Sequence, residues 1–193
     1  MADEAESRHI ARAQAGDHRA FAELVRQHQD RVFRFILRRV GTREDAMDLT
    51  QETFMKAHQA LPDWRPEARF RTWLLSIAHN AALDVLRRRG RIEFVSFADL
   101  PPGEEEHALP DPARRPDQRL GDRQSIELLE RALRELPFEQ REILLLREVD
   151  DMSYSEIATT LGIAEGTVKS RIARARSAAL VGYQRHTGEL RDE

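Results

Sequence analysis

Five of the eight prolines crowd between Pro101 and Pro116, and this cluster constrains the chain more than any other feature. The stretch around it, SFADLPPGEEEHALPDPARRPDQRLGD, shows neither a helical nor a strand repeat. Proline lacks a backbone N–H and breaks helix interiors, so the segment reads as a linker. Whatever folds must therefore fold on either side of it. The 193 residues then divide into two small units, 1–95 and 124–193, joined by an acidic linker over 96–123. Each unit is near the lower size limit for a self-sufficient core.

Both flanks carry apolar residues at three- and four-residue spacing, the mark of amphipathic helices. In the first unit Phe21, Leu24, Val25, Val32, Ile36 and Val40 form one stripe that ends near Gly41. Leu49, Thr53, Phe54, Ala57 and Leu61 share the face of a second helix, with Pro62 just past its end. A third helix begins near Phe70, carries Leu74, Ile77, Ala78, Ala81 and Val85 inward, and reaches the basic run Arg87, Arg88, Arg89, Arg91. In the second unit Ile126, Leu129, Leu133 and Leu136 make a stripe stopped by Pro137, and Ile143, Leu146 and Val149 make another. No strand-period segment competes, so the predicted class is all-α.

The second unit ends in a more specific pattern. Ser153 and Glu156 form a capping box for a short helix bearing Tyr154, Ile157, Ala158 and Leu161. Gly162 closes it, and after the turn Gly162, Ile163, Ala164 a longer helix carries Val168, Ile172, Ala175 and Ala179 inward. This is the helix-turn-helix pattern. At roughly 100° per residue, the face opposite that stripe shows Gly166, Ser170, Ala173, Arg174 and Ser177. Small residues there permit close approach to a DNA groove. Lys169 and Arg174 are placed for base edges, and Thr167, Arg171 and Arg176 for phosphates.

Charge first argues against DNA. Thirty-one Lys and Arg stand against thirty-four Asp and Glu, a formal net charge of −3, which excludes a uniformly basic nucleic-acid coat. Residues 1–95 nevertheless hold 17 basic and 14 acidic groups, and the excess of acid falls in the linker and the other C-terminal helices. Residues 165–180 hold Lys169, Arg171, Arg174 and Arg176 against Glu165 alone. Duplex affinity comes largely from such local basic groups.

Two further regions carry candidate contacts. Within DLTQETF, residues 48 to 54, and just beyond it, Asp48, Gln51, Glu52 and Met55 lie together on the outer face. An acid, an amide, an acid and a methionine suit a docking strip, although an ordinary solvated face has the same composition. From Trp64 to Arg91, the aromatics Trp64, Phe70 and Trp73 alternate with Arg65, Arg69 and Arg71. Aromatic faces with interleaved cations suit unstacked bases. Trp73 is expected in the core, while Trp64 and Phe70 stay open between stacking and packing. Asn80 and Asp84 point from one side of the helix that ends in Arg87 and Arg88.

No apolar run reaches membrane-spanning length, and the first thirty residues lack the apolar core of a signal peptide, so a cytoplasmic protein is expected. Cysteine is absent, which removes disulfides and thiolate chemistry. The seven histidines fall into no metal-ligand spacing, and no phosphate loop or nucleophile elbow is present. Neither an enzyme nor a cofactor is expected.

The ordered blocks FAELVRQHQDRVFRFILRRV, DLTQETF, FRTWLLSIAHNAALDVLRRR, LRELPFEQREILLLREV and MSYSEIATTLGIAEGTVKSRIARARSAAL resemble the extracytoplasmic-function sigma factors of bacterial RNA polymerase. The resemblance implies two helical domains, region 2 and region 4, around a linker threaded through the polymerase. It implies that Asp48, Gln51, Glu52 and Met55 dock on the beta-prime clamp helices of core RNA polymerase, with the beta flap as a further contact. By the same likeness Trp64, Phe70, Arg71, Asn80, Asp84, Arg87 and Arg88 read and open the minus-10 element, where a flipped base couples recognition to melting. Thr167, Lys169, Ser170, Arg171, Arg174 and Arg176 match the reader of the minus-35 element. An anti-sigma factor is the implied regulator. Ala164 departs from the family's pattern, standing where Ser or Pro is frequent at the start of the reading helix. The competing reading is a dimeric helix-turn-helix regulator that binds duplex DNA by itself.

Overall fold

The computed structural model describes residues 2–66, 68–89 and 116–188. They form eight α-helices in two units, Met1–Pro101 and Pro102–Glu193. Among the described residues there is no strand. No described helix is long and apolar enough to cross a membrane.

The first unit holds α1 (Ala2–Gln14), α2 (His18–Val40), α3 (Arg43–Ala60) and α4 (Phe70–Arg89), with a short 3-10 turn at Leu61–Asp63. Side chains settle the orphan amides where α2 and α3 begin. The Asp17 carboxylate accepts from the amides of Arg19 and Ala20, and Thr42 accepts from that of Asp45. Arg12 also hydrogen-bonds Asp17, holding its carboxyl below the usual range. Gly41 ends α2 at φ 87°, a left-handed conformation that glycine adopts without a Cβ penalty. Leu24, Val32, Phe35 and Ile36 from α2 meet Leu74, Leu75 and Ala78 from α4, all at most 1% exposed. Burial of each large side chain contributes about 1.5–3 kcal/mol.

The second unit holds α5 (Pro116–Glu135), α6 (Phe138–Leu144), α7 (Tyr154–Leu161) and α8 (Glu165–Thr187). Its core gathers Ile143, Leu146, Met152, Ile157, Val168 and Ile172. The close approach of α5 and α8 depends on Gly182, where an added Cβ would stand 3.2 Å from that of Ala132.

Several expectations are corrected. Residues 116–123, read as linker from their proline and glycine, are the first turns of α5, since proline fits the first position of a helix. The rest of the linker, 96–115, lies outside the described residues, as does Arg91. Ile126 and Leu129, expected in a buried stripe, are 49% and 41% exposed. Val149 is exposed too, because a π-helical turn at Leu145–Val149 inserts one extra residue and closes through Asp150 N to Leu145 O at 2.9 Å. Fully buried Met152 fills the core after that turn. Finally, α1 has no counterpart in the sequence reading.

Candidate nucleic-acid interface

The second unit presents its cationic face on α8. The capping box forms: Glu156 N donates to Ser153 Oγ at 3.2 Å and Ser153 N to Glu156 Oε2 at 2.8 Å. Gly162 ends α7 at φ 64°, and α8 starts at Ala164 with no side-chain cap. Val168, Ile172, Ala175 and Ala179 are buried as the spacing predicts. Gly166, Ser170, Ala173, Arg174 and Ser177 are all exposed on the other side, with Thr167 and Arg171 half-buried at its flank.

The cations of this face mostly meet carboxylates. Lys169 Nζ is 3.6 Å from Glu165, and Arg171 is 3.7 Å from Glu139 on α6. Arg176 binds Glu148 through two nitrogens at 2.6 and 3.1 Å, and this contact raises the guanidinium pKa further. Arg174 instead donates to its own helix, at Ser170 O, 3.4 Å away.

In the first unit Asp48, Gln51, Glu52 and Met55 are exposed together on α3, with Met55 57% accessible. Glu52 pairs with Lys56 at 2.7 Å. A groove of about 880 Å³ runs between α2 and α3, walled by Phe21, Val25, Phe33 and Phe54. Gln51 and Met55 line it, and Met47, equally exposed, lines it too. Asp48 and Glu52 stand outside that lining. The strip is therefore an apolar cleft with acids beside it. Met47 escaped the sequence reading, although it lies four residues before Gln51 on the same face.

Around the turn after α3 the aromatics stack on one another. Phe70 is 3% exposed, with ring centroids 5.7 Å from Trp64, 5.5 Å from Trp73 and 5.4 Å from His28. Of the two roles left open for Phe70, packing is the one it has here, while Trp64 lies half-exposed above it. Trp73, expected inside, is itself only partly covered. Asn80, Asp84, Arg87 and Arg88 are exposed along the second half of α4. Arg87 lies 3.9 Å from Asp84, and Arg88 donates to Asp84 O at 3.2 Å.

A second cavity, of about 690 Å³, opens between α1 and this turn, lined by Glu6, Ile10, His28, Trp64, Phe70 and Arg71 among others. Glu6 and His28 Nε2 are 2.7 Å apart. That hydrogen bond holds the Glu6 carboxyl below its usual range against the opposing effect of burial, with the charges of His28 and Arg71 adding to it. Sequence periodicity missed this side because Ile10 is the only large apolar side chain in α1. Among the described residues, no group of three or more acids and histidines could hold a metal ion.

Comparison with known proteins gives matches in both units. Residues 24–92 match the family model of sigma-70 region 2, and residues 126–178 match that of sigma-70 region 4. The ECF RNA polymerase sigma factor SigE of Mycolicibacterium smegmatis is 40% identical over 167 residues, 86% of this chain and 63% of that protein. The RNA polymerase sigma-H factor of Pseudomonas aeruginosa is 36% identical over 181 residues, 92% of this chain and 93% of that one. Among solved structures, CnrH in complex with the cytosolic domain of CnrY is similar, with TM-score 0.61, 27% identity, and coverage of 92% of this chain and 96% of that one. The fold is also shared by RpoE of Bartonella quintana, solved with the anti-sigma factor NepR (TM-score 0.61, 23% identity, 89% of this chain and 98% of that one).

Proposed function

The chain belongs to the extracytoplasmic-function sigma factors of the sigma-70 family, and from that premise we propose how its surfaces divide the work of transcription initiation. It joins core RNA polymerase, directs the enzyme to a specific promoter set and helps melt the minus-10 region, with no chemistry of its own. The α3 strip of Asp48, Gln51, Glu52 and Met55, with its apolar groove, docks on the beta-prime clamp helices, and the second unit meets the beta flap. Trp64 and Arg71, resting on buried Phe70, meet the minus-10 element together with Asn80, Asp84, Arg87 and Arg88. Capturing one flipped base costs a few kcal/mol of unstacking, which ties recognition to opening.

On α8, Thr167, Lys169, Ser170, Arg171, Arg174 and Arg176 read the minus-35 element. The observation that carries this reading is the exposed face of α8, where Gly166, Ser170 and Ala173 leave room beside Arg174 for the edges of bases. Linker residues thread the polymerase cleft, and an anti-sigma factor covers the same surfaces when the factor is idle. The site of action is the cytoplasm, on the nucleoid once holoenzyme has formed.

Run-off transcription with core enzyme on a library of candidate promoters tests the reading: specific transcripts are expected, and none at all overturns it. The docking strip has its own test. Changing Asp48, Gln51 and Glu52 together to Arg should weaken core binding by about tenfold or more, since like charges across an interface cost several kcal/mol. Unchanged affinity would make the strip an ordinary solvated face.

A further inference from the structure

α1 grips the turn that leads into the proposed minus-10 contact. Glu6, Ile10 and Gln14 follow at four-residue spacing and share one face. Ile10, in the middle, is 8% exposed. Glu6 at one end reaches His28, whose ring lies against Phe70.

Gln14 at the other end donates its side-chain amide to two backbone carbonyls, Leu61 O at 3.1 Å and Trp64 O at 2.8 Å. These carbonyls bracket the 3-10 turn that closes α3, where helix carbonyls lack partners within their own helix. Leu61 O also accepts from Trp64 N at 3.1 Å, so a single side chain braces both ends of the turn. Immediately afterwards the backbone becomes extended, with Trp64 at φ −66° and ψ 134°. The direction in which the chain leaves α3 is thus decided where Gln14 binds.

We propose that α1 is the positioning element of the promoter-opening loop and that Gln14 is its positioning residue, acting on DNA only through Trp64 and the residues that follow. The inference rests on the reading of that loop as the minus-10 contact. A side chain that must meet an extruded base needs a backbone held to within a fraction of an ångström, and small displacements are costly in rate. Gln14 supplies that restraint from an element absent from the proposed contact list.

The test uses holoenzyme on a promoter recovered by run-off transcription. Opening is read as permanganate reactivity of the minus-10 thymines, beside affinity for core enzyme. Gln14→Met keeps the length of the side chain but removes both donors, and Gln14→Glu sets a carboxylate against two carbonyl oxygens. Gln14→Met should lower opening about tenfold, the scale of losing such hydrogen bonds, with core affinity held within about twofold. Gln14→Glu should lower opening further.

The distinguishing readout is the double variant. If Gln14 acts through Trp64, then Gln14→Met adds nothing to Trp64→Ala. Opening within about twofold of the unaltered chain, full additivity with Trp64→Ala, or a parallel fall in core affinity would each overturn the proposal. Trp64→Ala with normal opening would instead overturn the reading of the loop, and with it this inference. Lost opening in Trp64→Ala beside normal opening in Gln14→Met removes the role of Gln14 alone.

Discussion

The two long helices with cationic faces, α4 and α8, hold their charge in different ways. α4 is packed through most of its length, with Phe70, Leu74, Leu75, Ala78, Ala81, Ala82 and Leu86 buried, so its exposed cations gather near its end. There Arg87 and Arg88 meet only their own helix, at the carboxylate and carbonyl of Asp84. α8 buries one stripe and spreads its cations along the other side, where acids of neighbouring elements answer them: Glu139 of α6 for Arg171 and Glu148 of the π-helical turn for Arg176. A phosphate that takes Arg176 must displace Glu148 first. Counting charges along residues 165–180 therefore overstates the positive field that α8 presents. A face attenuated in this way suits a protein that binds DNA firmly only when a larger assembly supplies further contacts.

The largest test of this contrast falls on Arg174, the α8 cation that meets a carbonyl instead of a carboxylate. Arg174→Ala should cost about 1–3 kcal/mol of holoenzyme binding to a promoter with its minus-35 element, measured by competition. A loss below about twofold would mean that Arg174 is not a reader. Next comes the uncapped start of α8. Ala164→Ser should add about 1 kcal/mol of stability. In calorimetry that would raise the midpoint of the second unit by about 4–8 °C. An unchanged midpoint would mean that the bare helix start costs nothing.

The smallest effect concerns the shielding itself. Glu148→Gln should tighten binding of the full chain to a promoter duplex by about two- to fivefold at low salt, because exposed ion pairs of this kind are weak. It should also steepen the salt dependence as Arg176 gains a phosphate. Asp151→Asn removes one charge nearby without freeing a cation and serves as the control. Weaker binding in Glu148→Gln would show that the acid orients Arg176 for DNA instead of masking it.

Where a helix has one buried and one wet side, the sequence showed it. The inward residues of α8 and the core of α3 follow their 3.6-residue period, and so does the exposed DNA-facing surface of α8. α1 escaped because one isoleucine makes no stripe, so its attachment relies on Gln14 and Glu6, polar side chains that periodicity ignores. The start of α5 escaped because Pro116 and Gly121 look like breakers out of context. Phe70 could not be assigned from its neighbours in the chain, since the rings that enclose it come from α2 and from both sides of the turn. Nor does composition reveal the pairing of Arg176 with Glu148, twenty-eight residues apart.

The π-helical turn at Leu145–Val149 makes the second unit sensitive to chain length as well as to side chains. A gene lacking a single codon there would encode an uninterrupted α-helix. Everything after the deletion would arrive about 100° out of phase, with Met152 carried off its core site and Glu148 turned away from Arg176. One codon thus stands between an attenuated DNA face and a bare one, and an insertion or deletion could retune this factor without touching a single residue of the helix proposed to read the promoter.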